Sequence, residues 1–182
     1  KGEVDDATLV VNKLAQVDAD FAVSSKDLAE AIKRTGSSAQ GAKVSFEELL
    51  AVVTVTQERT ARGGAVIGNA FKTIFTRVQR PEVLNNLASI GIAVRDQAGE
   101  TFPAIQILRN YAKAYDSLSP AIKSNTAQLI AGGRQINILQ SLLPDLASST
   151  SQFDAALRTA NETTTEATDR LKILTSTTQG TL

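Results

Sequence analysis

Apolar residues recur through most of the chain at steps of three and four, the spacing of an amphipathic helix. The clearest stripe lies between Gly63, where a glycine pair opens a helix, and Pro81, which follows its end. Two phenylalanines, Phe71 and Phe75, lie on this stripe one turn apart. We interpret them most simply as core anchors, whereas on an exposed face they would serve docking or membrane insertion. The predicted helix-packing or docking face consists of Ile67, Phe71, Ile74, Phe75 and Val78.

Helix caps and chain breakers divide the rest of the chain, so that we predict about eight helices in all. Ser45 and Glu48 have capping-box spacing, and Pro81 stands where a first-turn proline belongs. Glycines between the helices give the chain places where it can bend. The predicted hinges are Gly63, Gly64, Gly91, Gly132 and Gly133.

Two segments have strand-like patterns. Ala51 to Thr56 is rich in β-branched residues, but no turn residue separates it from the cap before it, so we predict a helix there. Ile92 to Phe102 changes to an alternating period around a turn at residues 97–99, which predicts a small β-hairpin. The predicted fold is therefore all-α, with one hairpin near residues 92–102.

The last part of the chain has a heptad pattern, in which apolar or small residues alternate at steps of four and three from Leu139 onward. Pro144 is expected to kink or break the pattern, and residues 154–178 are predicted to form one long helix. We divide the chain into a helical core region at residues 1–150 and a long C-terminal helix at residues 151–182. Small and polar residues weaken the seam, so we expect this helix to associate with others rather than to form a stable isolated zipper. The predicted self-association seam consists of Phe153, Leu157, Ala160, Ala167, Leu171 and Leu174.

The composition argues against several classes of chemistry. Cysteine, histidine and tryptophan are absent, which removes disulfides, thiol nucleophiles, the usual zinc ligands and the commonest general base. No nucleophile or phosphate-binding motif occurs, and the paired carboxylates at residues 5–6 and 47–48 are explained by a solvated face and a helix start. We therefore predict a protein that is not an enzyme and that takes no cofactor, metal ion or small-molecule substrate.

The overall charge is balanced, with 19 lysines and arginines against 19 aspartates and glutamates. Between Glu58 and Glu82, however, every charged residue is basic. One interpretation is that this basic face meets an acidic protein surface, DNA or anionic lipid. The other, which we favour, is that it only solvates the outer side of a helix. The predicted basic face consists of Arg59, Arg62, Lys72, Arg77 and Arg80.

Gly64 and Gly68 have the GxxxG spacing that allows two helices to approach closely. Lys72 and Arg77 flank an apolar run that is too short for a membrane helix, since a bilayer requires roughly 20 residues. We therefore favour a hinge with close packing inside the fold over helix pairing in a membrane.

Several ordered blocks of sequence carry a family resemblance. The string IGNAFKTIFTR at residues 67–77 is followed by Arg80 and Pro81, and further blocks flank it. Over residues 20–150 these blocks resemble the core region of the tail tape-measure proteins of tailed phages. Tape-measure proteins are very long, and this chain begins at Lys1 and contains no methionine, so we expect it to be a piece of a longer protein. The flanking blocks are FAVS at 21–24, VSFEEL at 44–49, LASIGIAV at 87–94 and GGRQINIL at 132–139.

The resemblance implies a structural function in a virion. Several copies, expected as a trimer, would run through the lumen of the tail tube, set tail length during assembly and leave ahead of the DNA at genome ejection. The implied partners are further copies of the chain, the tail tube and distal tail or baseplate proteins, while contact with DNA is left open. The implied locations are the tail tube lumen, the host cytoplasm during assembly and the host envelope on ejection.

Two other functions fit parts of the sequence. A membrane-perforating helical protein would insert the helix that carries Phe71 and Phe75 after its release, and would form or aid a channel for DNA entry into the host. A cytosolic coiled-coil adaptor would use the seam from Phe153 to Leu174. Within the tape-measure interpretation, an extended helix converts residue number into length at about 1.5 Å per residue. Because this segment contains many turns, we expect it to dock at one end or to act during ejection rather than to be the ruler itself.

Overall fold

The computed structural model describes residues 2–163, with side chains from residue 6 onward. Nine helices lie in this part of the chain, and the last of them, α9, begins at residue 152 and is described through residue 163. The others are α1 (Gly2–Asp20), α2 (Ser25–Gly41), α3 (Phe46–Thr60), α4 (Gly64–Val78), α5 (Pro81–Ser89), α6 (Ala104–Tyr115), α7 (Pro120–Ala131) and α8 (Ile136–Ala147).

The all-α fold class predicted from the sequence is confirmed, since the described residues contain helices and turns but no β-strand. Helix α4 is the central element, because it contacts α2, α3, α5, α6, α7 and α8. One hydrophobic core extends through the bundle, and among its largest fully buried side chains are Phe71, Phe75, Tyr111 and Phe153. The aliphatic and alanine side chains around them allow the helices to lie close together.

Helix α3 contains the β-branched segment Ala51 to Thr56, which is helical as predicted. Every residue from Leu49 to Gln57 is buried, so the segment is surrounded by other helices and its side chains pack on all sides. The buried threonine hydroxyls donate to the carbonyls one turn earlier, for example from Thr54 to Leu50 over 2.8 Å. This bond satisfies a polar group that would otherwise be buried without a partner.

Two helix starts form as their sequence signals predict, at Ser45 and at Pro81. The Ser45 hydroxyl accepts a hydrogen bond from the Glu48 backbone N–H over 3.1 Å, and the Glu48 carboxylate accepts one from the Ser45 backbone N–H over 2.9 Å, which completes a capping box at the start of α3. Pro81 is the first residue of α5, where the missing N–H costs no hydrogen bond.

The predicted β-hairpin near residues 92–102 is wrong. The chain does reverse there, with Gly99 in a left-handed conformation (φ 85°), but the two arms share only one isolated antiparallel bridge, between Arg95 and Thr101. Other groups that a ladder would use bond elsewhere, since the Phe102 carbonyl accepts from the Gln79 side-chain amide over 3.3 Å and the Glu100 N–H donates to the Asp96 carboxylate over 2.9 Å. Further along, the Ala104 N–H donates to the Ala42 carbonyl over 3.0 Å, so it does not extend the pairing.

The heptad pattern predicted from Leu139 onward is interrupted. Helix α8 contains Pro144 and ends at Ala147, and α9 begins only at residue 152 after a turn. The described part of α9 packs into the same core as the preceding helices, and its Phe153 side chain is only 1 % exposed. The rest of the long C-terminal helix predicted for residues 154–178 lies outside the described residues.

Candidate functional site

The predicted docking face on α4 lies in the interior of the fold. Ile67, Phe71, Ile74 and Val78 are completely buried, and Phe75 is 1 % exposed. The two phenylalanine rings are 5.5 Å apart, so they pack against each other within the core. In this fold α4 therefore uses the stripe to hold its neighbouring helices together, and does not present it to a partner or a membrane.

The GxxxG pair on α4 lies at a close crossing with α2. A Cβ added at Gly64 would lie 2.0 Å from the Asp27 carbonyl oxygen, and one added at Gly68 would lie 2.9 Å from the Ala31 Cα. Both distances are far below van der Waals contact, so only glycine fits at these positions. The Thr35 hydroxyl, which lies 3.0 Å from the Gly68 carbonyl oxygen, adds a hydrogen bond across the crossing.

Asp27 fixes the start of α4. Its Oδ1 accepts a hydrogen bond from the Gly64 backbone N–H over 2.9 Å, and its Oδ2 accepts one from the Gln57 side-chain amide over 3.1 Å. A carboxylate at this end of a helix also interacts favourably with the helix dipole. The predicted hinge at Gly63 and Gly64 is thus joined to α2 through Asp27, which Gln57 of α3 also contacts.

The other predicted hinge glycines lie at helix ends. Gly91 (φ 83°) follows α5, and Gly132 (φ 66°) caps α7, so both adopt a left-handed backbone conformation that favours glycine. Gly133 follows directly and has open space where a Cβ would lie. These positions terminate helices, and their role as hinges stays a prediction.

The residues of the predicted basic face differ in their contacts. Arg59 donates to the Asp145 carboxylate over 3.1 Å, and Arg77 donates to the Leu129 carbonyl over 2.9 Å at the end of α7. The Arg80 guanidinium lies 4.0 Å from the Glu82 carboxylate. The two remaining members, Arg62 and Lys72, are exposed. Arg59 and Arg77 therefore tie elements of the chain together, and only part of the set is available to a partner.

The described members of the predicted self-association seam pack within the chain. Phe153 and Ala160 are buried, and Leu157 is partly buried against the core. The Arg109 guanidinium lies 4.8 Å from the centre of the Phe153 ring and also forms an ion pair with Asp154. This ion pair fastens the start of α9 to α6. The seam residues Ala167, Leu171 and Leu174 lie outside the described residues.

The sequence reasoning missed Asp145, which organises the turn between α8 and α9. It is 2 % exposed, and its carboxylate accepts hydrogen bonds from the Ser151 hydroxyl, the Phe153 backbone N–H and the Arg59 guanidinium at 2.9 to 3.1 Å. A lone acid beside a proline in an apolar helix was the available signal. Because a buried charge requires partners, that acid implied a cluster of donors around it.

A second missed residue is Lys13 on α1, which is 2 % exposed. Its ammonium forms an ion pair with Glu47 on α3 and lies 5.8 Å from the centre of the Phe46 ring. Burial raises the pKa of Glu47, but the hydrogen bond from Lys13, a backbone hydrogen bond and the lysine charge outweigh it, so the pKa lies below its ordinary value of 4.5. The position of Lys13 one residue before buried Leu14 was the available signal.

Two kinds of feature are absent from the described residues. Within residues 6–163, no group of three or more histidine, cysteine, aspartate or glutamate side chains could hold a metal ion. In the same part of the chain, no helix is both long enough and apolar enough to cross a membrane.

Comparison with known proteins identifies the family of this chain. Residues 1–132, which contain α1 to α7, match the family model of phage-related minor tail proteins. The chain belongs to this family. Membership gives the minor tail protein a structural role in a phage tail and a location in the tail of the virion. No solved structure matches the chain.

Proposed function

We propose that this minor tail protein is the core region of a tail tape-measure protein. In this function it occupies the lumen of the tail tube, contributes to setting tail length during assembly and is released at genome ejection. The observation that carries the proposal is the family match over residues 1–132. The sequence blocks around residues 67–77 support the tape-measure assignment within that family, and the all-α fold agrees with it.

The geometry refines the role of this segment within the longer protein. The helices fold back on one another around α4, so the number of residues does not translate into length along one axis. A compact domain of this kind serves as an end of the ruler, where it docks on the tube or on distal tail or baseplate proteins. Further copies of the chain, as a trimer, are its other proposed partners.

Release through the tube requires the domain to be drawn out. The turns at Gly63, Gly91 and Gly132 separate short helices, so each helix can leave the bundle without being broken internally. The same helices, once extended, rise about 1.5 Å per residue and are about 10 Å wide. The proposed transition is therefore from a folded domain in the assembled tail to a threaded chain during ejection.

The membrane-perforating alternative is less well supported by the geometry. Phe71 and Phe75, the side chains that would insert, are buried in the centre of the bundle. Their exposure would require α4 to leave the contacts with its six neighbouring helices. Insertion could only follow the drawing out of the domain, so it is not a function of the folded state.

A location experiment tests the proposal. Purified tails are analysed by peptide mass spectrometry and by protease treatment, before and after DNA release is triggered. We expect peptides from residues 2–163 to be present and protected before release and to be lost from the tail afterwards. Absence of these peptides from purified tails, or their retention on the tail exterior after release, would contradict the proposal.

A covalent lock tests the drawing-out step. The chain has no cysteine of its own, so Ser24→Cys and Arg62→Cys place a unique pair at the start of α2 and in the loop before α4. Joining the pair with a short bismaleimide should leave tail assembly intact and block ejection. Each single variant treated with the same reagent is the control. Normal ejection from tails in which the pair is fully joined would rule out the proposed transition.

A further inference from the structure

Helix α9 contacts the rest of the fold through few buried side chains. Within its described part, Phe153, Ala156 and Ala160 are the buried residues, and two of them are alanines. An open cleft of about 430 Å³ lies between α9 and the first half of α6, with Leu157 of one helix and Gln106 of the other on its lining. Since buried apolar area supplies most of the hydrophobic stabilisation, α9 is held less firmly than α4.

The turn that leads into α9 makes local contacts. Residues 148–150 are exposed. The Thr150 backbone N–H donates to the Ser148 hydroxyl over 3.1 Å, and the Ser148 N–H donates to the Asp145 carbonyl over 3.0 Å. Because both bonds join close neighbours in the sequence, the turn can straighten without disturbing the packing of α8 against the other helices.

The polar contacts that hold the start of α9 do not depend on the chain being continuous. Asp145, which precedes the turn, accepts hydrogen bonds from the Ser151 hydroxyl and the Phe153 backbone N–H, both over 2.9 Å. After the turn, Asp154 forms an ion pair with Arg109 of α6. The α9 of a second copy would make the same bonds if it lay in the same place, so its docking would cost no hydrogen bond.

We propose that α9 is exchanged between copies of this chain, so that the α9 of one copy packs on the bundle of the next. The partner is a second copy because its α9 has the same side chains as the helix that it replaces. The proposal rests on the proposed function, in which several copies lie side by side in one tail tube. There the α9 of a neighbour is always close, whereas in dilute solution the short turn favours closure within one chain.

Exchange also reconciles two observations on the predicted self-association seam. Phe153, Leu157 and Ala160 have the spacing of a seam between helices, yet they pack within their own chain. After exchange the same three side chains make the same contacts between two copies. An exchange that passes from each copy to the next closes into a ring, which is how a trimer would form.

Cross-linking of two differently tagged copies tests the exchange. The chain contains no cysteine, so Gln106→Cys in one copy and Leu157→Cys in the other place a single thiol on each side of the cleft. The copies are mixed in mild urea, returned to native buffer at several protein concentrations and treated with a short bismaleimide. The yield of the mixed product should rise with protein concentration.

The control pair replaces Gln106→Cys with Lys33→Cys, an exposed position of α2 that does not line the cleft. The mixed product of the cleft pair should exceed that of the control pair by about tenfold, because docking keeps the two thiols together. A yield no higher than that of the control at every concentration would overturn the proposal.

The length of the turn provides an independent test. Deletion of Ser149 and Thr150 should prevent α9 from folding back onto its own bundle, so the variant should form oligomers in analytical ultracentrifugation while keeping its helix content. Replacement of both residues by alanine keeps the length and is the matched control, which should stay as monomeric as the wild type in dilute solution. A shortened chain that remains monomeric with its helix content intact would contradict the exchange.

These experiments use the chain in solution, so their result is separate from that of the location experiment on purified tails. Exchange in solution by a chain that is absent from tails would support the exchange and contradict the proposed function. Failure of both solution tests for a chain that is protected inside the tail would do the reverse.

Discussion

Helices α2 and α4 meet through backbone atoms, whereas α1 reaches α3 through long side chains. At the first contact, Gly64 and Gly68 leave no room for even one added carbon between the helices. At the second, Lys13 extends to Glu47 and covers the Phe46 ring. The first contact depends on the absence of side chains, and the second depends on their charge.

The difference indicates how firmly each helix is held. Helix α4 buries its whole apolar stripe from Ile67 to Val78, while α1 buries only Lys13, Leu14 and Val17 among its described side chains. The outer side of α1 leaves Val11 61 % exposed. We therefore expect α1 to separate from the bundle before α4 when the domain opens. In the proposed function, α1 is the first helix to be drawn out.

The largest expected effect is at the glycine crossing. Gly64→Ala should lower the free energy of unfolding by about 3 kcal/mol, because its Cβ would overlap the Asp27 carbonyl and force the two helices apart. The matched control is Gly36→Ala in the middle of α2, where nothing lies within 4 Å of an added Cβ. That change should raise the free energy of unfolding by about 0.5 to 1 kcal/mol. Urea unfolding of both variants measures the contrast, and equal effects would show that the crossing is not tight.

The next largest effect concerns the charge contact. Lys13→Met keeps much of the apolar stem over Phe46 but leaves Glu47 without its partner. Because the Glu47 side chain is 24 % exposed, we discount the loss expected for a fully buried pair to about 1 to 2 kcal/mol. Lys33→Met, at an exposed position of α2, is the control and should change the free energy of unfolding by less than about 0.5 kcal/mol. Similar losses in both variants would contradict a specific contact between α1 and α3.

Acid should weaken the same contact by a smaller amount. The pKa of Glu47 in the folded chain lies below its ordinary value of 4.5, so the folded state favours the ionised form. The resulting stabilisation is present above that ordinary value and is lost as the pH falls through the lower, folded pKa. Unfolding at pH 6 and at pH 3 should therefore show a larger acid-induced loss for the wild type than for Glu47→Gln. An equal loss in the two proteins would argue against this role of Glu47.

The smallest effect is expected on the outer side of α1. Val11→Ser should change the free energy of unfolding by less than about 0.5 kcal/mol, because the side chain is mostly in water. Val17→Ala on the buried side of the same helix is the comparison, and it should cost about 2 kcal/mol. Thermal unfolding monitored by circular dichroism is sufficient to separate them. A large loss with Val11→Ser would reveal a contact on the outer side that the fold does not show.

Local signals were enough to predict most of the helices. The hydrogen bonds of the capping box at Ser45 and Glu48 mark the start of α3. Helix α4 lies between Gly63 and Pro81, and its ends depend on the backbone dihedral angles of a few neighbouring residues. The strand-like residues of α3 were also assigned correctly, because no turn residue interrupts the helical pattern. The hairpin was wrong for the opposite reason, since Gln79, which directly follows α4, donates to the Phe102 carbonyl that the ladder needed.

The surfaces could not be predicted from spacing alone. A stripe such as that of Phe71 and Phe75, or the one around Phe153, has the same period whether it packs on its own chain or on another. The partners of Lys13 and Asp145 lie 34 and 86 residues away in the sequence, at Glu47 and Arg59. Such pairs depend on how the helices are arranged, which the periodicity of one segment does not contain.

The most direct test of the central claim is native-state hydrogen exchange of the purified chain. We predict that amides of α4 from Ile67 to Val78 exchange only through global unfolding, and that amides of α2 at the crossing are nearly as well protected. Amides in the middle of α1 should exchange through a separate opening of lower free energy. Equal protection in α1 and α4, or faster exchange in α4 than in α1, would contradict the claim that the glycine crossing forms the most stable part of the fold.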